Sequence, residues 1–275
     1  MKLYLLFIIG ISLFISRCNT SFEDKKDFNN DDFTENTDNE DFNSDNLNDL
    51  EEKMEEIMDE NSANNEKLIK EIIEVKANDA KSVKIEIKIA ACRLNLSSGA
   101  KELFKGGFAY SQKKWKPIII YNVKNGIGFL SIEQPENNNM NFNDDDQYVW
   151  NLKFTNKLPI DFNLEFGAGI SEIKLSDLNV RNFNMTMGVG KTELDLIGDW
   201  KQNTEIHMDG GIGYTKVYMP DNVGVKINVT KGLGNIDVKN LIKKDDKTYI
   251  NKLYGKTEKT INIYIKTGIG KIDIE

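Results

Sequence analysis

Two glycines separated by one apolar residue recur six times in the last 150 residues of this 275-residue chain. The copies are Gly126-Ile127-Gly128, Gly167-Ala168-Gly169, Gly188-Val189-Gly190, Gly211-Ile212-Gly213, Gly232-Leu233-Gly234 and Gly268-Ile269-Gly270. The middle four begin 21, 23 and 21 residues apart. A fixed period of this length means that each unit is one small element unable to bury its apolar face alone. Stacked neighbours then share a continuous core.

The flanking residues say what the element is. Before the signatures stand Phe162, Leu164 and Phe166, or Met185 and Met187, or Ile206 and Met208, or Val225, Ile227 and Val229, or Ile261, Ile263 and Ile265. After them stand Ile173 and Leu175, Leu194 and Leu196, Val217 and Met219, Ile236 and Val238, or Ile272 and Ile274. Alternation with a period of two indicates half-buried strands. The residue between the glycines keeps the inward parity of the preceding strand, and the following pair lies on the other parity. The change therefore falls at the glycines, which tolerate a bend and close backbone approach. One repeat is strand, glycine corner, strand and turn. About 21 residues at ~3.3 Å each give a path of roughly 70 Å, one coil of a small β-solenoid. The last gap is longer, 36 residues, and holds Lys243-Lys244-Asp245-Asp246-Lys247, which reads as an inserted loop.

The amino terminus has different physics. Lys2 precedes an apolar run from Leu3 to Ile15, too short for the ~20 residues a bilayer span needs. This is the pattern of a secretory signal peptide, residues 1–18. Its end, Ile15-Ser16-Arg17-Cys18, resembles a bacterial lipoprotein signal, with Cys18 as the lipidated residue; Arg17 stands where a small residue is usual. An ordinary secretory signal and an uncleaved anchor are the alternatives. Cys92, the second of only two cysteines, lies in the apolar run Ile89-Ala90-Ala91-Cys92 and reads as a small buried hydrophobe. Two cysteines exclude a disulfide framework.

Residues 19–66 carry 18 acidic and three basic side chains, against −8 for the whole chain. High charge and few apolar residues predict a disordered acidic tether, with Phe22, Phe28, Phe33 and Phe42 spaced along it as an alternative docking motif. From Leu47 to Val75 apolar residues recur at three- and four-residue steps, among them Leu68, Ile69, Ile72 and Ile73. This predicts a short amphipathic helix closing the tether, residues 19–75. A weak coiled coil is the alternative. The remaining 76–275 divide into an N-terminal section, 76–156, and the glycine repeats, 157–275.

Several motifs invite chemistry. Gly188-Val189-Gly190-Lys191-Thr192 resembles the end of a phosphate-binding loop, but the position of its first glycine holds Met185, and Glu193-Leu194-Asp195-Leu196 continues as a strand rather than a helix. Nucleotide binding is therefore not expected. Glu172, Glu193, Lys216, Asp237 and Asp273 form a row that should point outward. Glu172 and Glu193 could share a proton as a catalytic pair, yet nothing apolar is expected beside them, and Lys216 continues the row as in a solvated charge ladder. His207 is the only histidine and lies on the outward parity of its strand. One histidine and no cysteine cluster argue against a zinc or iron site, and no cofactor is expected. No Asp/Gly nonapeptide of the calcium-binding kind is present. A modest positive balance after residue 66, on an exported chain, argues against nucleic acid as a partner.

Lys157 to Gly169 followed by Leu175-Ser176-Asp177-Leu178, Ile206 to Pro220 with its Tyr218-Met219-Pro220 ending, and Val223-Gly224-Val225 resemble the toastrack domain. Residues ~80 to 150, with Leu103-Phe104-Lys105-Gly106-Gly107, are similar to its N-terminal section. The domain occurs in LiaF-like cell-envelope stress proteins and in candidate secreted adhesins. The resemblance implies an all-β fold, a right-handed single-stranded β-helix-like solenoid. It also implies a role without catalytic residues. LiaF-like members restrain a sensor kinase and carry several membrane helices; only the short leader stands here. The expectation is a non-enzymatic envelope lipoprotein, held to the membrane by its lipid, whose solenoid binds an envelope protein or glycan. A surface adhesin and a glycan-cleaving solenoid are the alternatives.

Overall fold

The computed structural model describes residues 68–135 and 147–275. The leader with Cys18, the acidic tether with its phenylalanines and the first part of the expected helix lie outside them. Thirteen strands follow in order: β1 Ile69–Val75, β2 Ser82–Ser98, β3 Phe104–Tyr110, β4 Ile118–Lys124, β5 Ile127–Glu133, β6 Tyr148–Phe154, β7 Ile160–Lys174, β8 Val180–Asp195, β9 Thr204–Tyr218, β10 Gly224–Val238, β11 Ile242–Lys243, β12 Thr248–Ile250 and β13 Thr260–Ile274. One mixed, unclosed sheet joins them in the order β1-β3-β6-β2-β7-β8-β9-β13-β10-β12-β11, with β4 and β5 branching from β2.

Each repeat is a single long strand. Fifteen residues extend roughly 50 Å. The five-residue connection from Leu175 to Asn179 can return the chain only ~20 Å. The strand must therefore fold back on itself, and it does so at the glycines. Phe162, Leu164 and Phe166 from one limb and Ile173 and Leu175 from the other are all buried in the same core. The predicted parity change is thus the bend itself. Parallel register aligns Gly169 with Gly190, Gly190 with Gly213, Gly213 with Gly270 and Gly270 with Gly234. The second glycine of each pair has positive φ, from +121° at Gly234 to +156° at Gly270. The first glycines are needed for space: a Cβ on Gly188 would lie 2.4 Å from the Gly167 carbonyl oxygen. β2 is a further coil with the corner Ala90-Ala91-Cys92, in which Cys92 faces Gly169. Its thiol is buried, as expected of a small hydrophobe.

Three expectations are corrected, and a fourth feature is added by the structure. Gly126 and Gly128 mark no corner: Asn125 and Gly126, with φ of 53° and 75°, form the two-residue turn of the β4–β5 hairpin. The segment Ile69–Val75 is a strand, not the end of a helix. It pairs along its whole length with β3, its β-branched residues suit a sheet, and Ile72 points away from Ile69 and Ile73 into solvent. The residues between the glycines do not all turn inward. Ala168 is buried, but Ile212 and Leu233 are 43% and 58% exposed, because the bend carries the residue at its apex outward. Last, the coils do not stack in sequence order: β13 lies between β9 and β10. The inserted segment 239–259 includes the β11–β12 hairpin, which pairs antiparallel with the first limb of β10.

The opposite end of the stack is closed differently on each limb. The β4–β5 hairpin covers the first limb of β2, and β6, β3 and β1 cover the second. Gln134, just past β5, ties the hairpin to the corner of β2, its Oε1 accepting from the amides of Ala90 and Ala91 at 2.7 and 3.1 Å. Behind the second cover lies an aromatic cluster. Phe108 and Tyr148 meet Trp150 edge-on at 5.3 and 5.6 Å, and Phe154 reaches Phe162 of β7 at 5.0 Å.

Candidate functional site

The identical register of the coils turns each outward position into a row across the sheet, with one side chain every ~4.8 Å. Beyond the corner, the rows form a paired charge ladder. Glu172 and Glu193 are register neighbours, as the sequence suggested. Glu172 lies 3.8 Å from Arg93, and Glu193 lies 3.4 Å from Lys191. Lys271 meets Asp273 at 2.9 Å, and the Tyr214 hydroxyl donates to the same carboxylate at 2.8 Å. Lys216 is held by Glu275 at 2.8 Å, and hydrogen bonds to that carboxylate and to Tyr218 raise its pKa. Lys191, the lysine of the phosphate-loop look-alike, is thus one rung of this ladder, and its neighbours Thr192 and Leu194 point into the core. Among the described residues no three histidine, cysteine, aspartate or glutamate side chains converge as metal ligands would.

Before the corner the outer face is different. Here the rows are rich in amides. Asn163 of β7 stands beside Asn184 of β8, then His207 of β9, Tyr264 of β13 and Asn228 of β10. His207 is outward, as read from its parity. It stacks on Tyr264 with centroids 4.6 Å apart and planes 10° from parallel, and its Nε2 lies 2.6 Å from Glu205. In the other direction the row passes Glu86 of β2 and Ser131 of β5 to Ile120 of β4.

At that end the face hollows into an open groove of about 500 Å³. Its floor is Asn163, Asn182 and Asn184 with Asp161; its wall is Ile120 and Phe129 from the hairpin, 57% and 37% exposed. Lys84 and Glu86 lie between floor and wall. Asp161 is neutralised within the protein: Arg181 donates to it through Nε at 3.1 Å and Nη2 at 2.5 Å, and Asn182 donates at 2.9 Å. The groove offers paired donors and acceptors and an apolar wall, with its charges mostly paired. Such a lining suits contact with a polar ligand; the Ser131 hydroxyl within it donates to the Glu133 carboxylate at 2.7 Å. Sequence reasoning missed it because its members lie on five separate strands. Asn163 and Asn184 at matching repeat positions were the available signal.

A stacked scaffold with regular outer faces is the class that fold and site define. The sequence matches the model of the N-terminal domain of toast_rack over residues 61–218 and that of the C-terminal part of LiaF, the cell wall-active antibiotics response protein, over residues 169–274. The chain belongs to this toastrack/LiaF-like family. It is 36% identical to a candidate cell adhesion protein of Clostridium sporogenes, covering 76% of this chain and 99% of that one with a TM-score of 0.73. Candidate adhesins of Bacteroides fragilis and Parabacteroides merdae align at 13% and 11% identity, over 76% and 77% of this chain and 98% and 97% of theirs, with TM-scores of 0.26 and 0.24. No curated protein matches. The family is one of candidate adhesins and cell wall-active antibiotics response proteins. Among the described residues no helix is long and apolar enough to cross a membrane.

Proposed function

We propose that this chain is a non-enzymatic binding protein of the bacterial cell envelope, tethered to the membrane through lipid on Cys18, which uses the outer face of its solenoid for adhesion. The observation that carries the reading is the 36% identity to a candidate cell adhesion protein across 99% of that protein's length. The groove beside Phe129 supports it, since solenoids suit extended contact. Two measurements test it. Labelled palmitate should enter the protein and should be lost in Cys18→Ala. Cells displaying the protein should adhere to a partner surface or to each other more than cells lacking it, and protease added to intact cells should remove both protein and adhesion. A protein shielded from that protease is not an adhesin.

A second reading is regulatory, favoured by the match of residues 169–274 to the LiaF C-terminal model. Under it, deletion changes an envelope-stress reporter and leaves adhesion unaltered.

A further inference from the structure

We infer that the groove between the β4–β5 hairpin and the asparagine rows is a binding site for an uncharged saccharide chain lying across the strands. The inference rests on the binding role proposed above and names the ligand class of that face.

Three properties of the groove select the ligand. Its charge is low and mostly paired: Glu86 lies 3.0 Å from Lys88, Asp161 is held by Arg181, and Lys84 is the one lysine in the lining. A polycation meets carboxylates that are already paired and a polyanion meets a single lysine, whereas a neutral ligand gives up no solvated charge on entering. Its floor is amide. Each asparagine offers two N–H donors and a carbonyl acceptor, which suits hydroxyl groups that donate and accept at once. The side-chain amides of Asn163 and Asn184 make no hydrogen bond among the described residues, so both are available. Its wall is apolar. Phe129 and Ile120 stand exposed beside the amides, and an aromatic face beside polar groups fits the C–H face of a sugar ring.

The same row says how the ligand runs. Amides and aromatics repeat across the strands at ~4.8 Å, close to the length of one hexose in an extended chain, and the stacked pair His207–Tyr264 continues the track beyond the groove. A polypeptide would instead pair with a strand edge, through backbone groups that the middle of this sheet has already used.

The test uses the full-length protein and calorimetric titration with short and long members of the cellulose, chitin and starch series, with polyphosphate as the anionic comparison. Binding of at least one neutral series is expected, tighter for long members than for short. Phe129→Ala should weaken it about three- to tenfold. Tyr264→Ala should weaken only the long members, because it lies outside the groove. Both side chains are exposed, and unchanged melting temperatures establish that the variants fold. No binding to any neutral series, binding to polyphosphate alone, or neutral binding indifferent to Phe129→Ala would each overturn the inference. Adhesion that persists in Phe129→Ala overturns it as well while leaving the adhesion reading intact. Saccharide binding without adhesion does the reverse.

Discussion

The carbonyl oxygen of Gly190 lies 1.8 Å from where a Cβ on Gly213 would stand. Gly213 also has φ +150°, so an alanine there meets a backbone clash and a strained torsion together. Neither neighbour can yield, because both corners are locked into the parallel ladder. Gly213→Ala should cost about 4 kcal/mol in urea unfolding. Gly255 is the control. It has φ +75° but open space around it, and Gly255→Ala should cost only about 1 kcal/mol. Equal losses at the two sites would show that the corners are not packed as described.

Ser171 Oγ and Thr192 Oγ1 meet at 2.8 Å on adjacent coils, both fully buried. Thr192→Val removes one partner and strands the other in the core, which should cost about 2 kcal/mol. The double variant Ser171→Ala with Thr192→Val should be less destabilised than the single one, since no hydroxyl is then left unpaired. Chemical denaturation of the three proteins decides it.

Cys92 is buried at the corner of β2, and burial pushes its thiol pKa well above the ordinary 9.0. The thiolate is the reactive form, so raising the pKa suppresses it throughout the neutral range. Native protein should react with iodoacetamide at neutral pH at least ~100-fold more slowly than urea-unfolded protein. Fast native labelling would contradict the burial.

Glu275 accepts from Lys216 at 2.8 Å and from Lys239 at 3.3 Å, and these hydrogen bonds hold its carboxyl below the ordinary 4.5. A depressed folded pKa means the stabilisation is complete above the unfolded value. It is lost as pH falls through the folded one, so the window lies below about 4.5. The pair is partly exposed, so salt weakens it. An NMR titration should place the Glu275 midpoint below that value, and Lys216→Met should move it upward. An unmoved midpoint would remove Lys216 as the cause.

Glu172 and Glu193 should behave as rungs of a ladder rather than as a catalytic pair. Each has a basic neighbour, Arg93 or Lys191, on a solvent-facing row. Replacing both with Gln should change stability by no more than about 1 kcal/mol. Assays of reducing ends released from envelope polysaccharides should give the same baseline for wild type and variant. Release that depends on either glutamate would make the protein a hydrolase.

Legibility in the sequence tracks how local each cause is. The inward parity of Phe162 and Ile173 can be read directly, because alternation along a strand needs no knowledge of its neighbours. Cys92 can be placed in the core because the apolar run Ile89-Ala90-Ala91-Cys92 around it is equally local. Ile69–Val75 misleads because two adjacent isoleucines, Ile72 and Ile73, imitate helical spacing, and only the pairing partner β3 decides between helix and strand. Gly126 misleads because a hairpin turn and a solenoid corner both require glycine, and the three-residue motif is the same in either setting.

The sequence by itself therefore determined the bent coil. A short connection, a change of parity and glycines at the change leave a folded-back strand as the one compact solution. The tertiary structure alone decided the order of the coils. Each corner packs equally well against any other, so nothing in the spacing says that β13 must sit between β9 and β10. It also decided the groove, whose Phe129, Asn163 and Asn184 belong to different strands and become one surface only when the shared register lays them side by side.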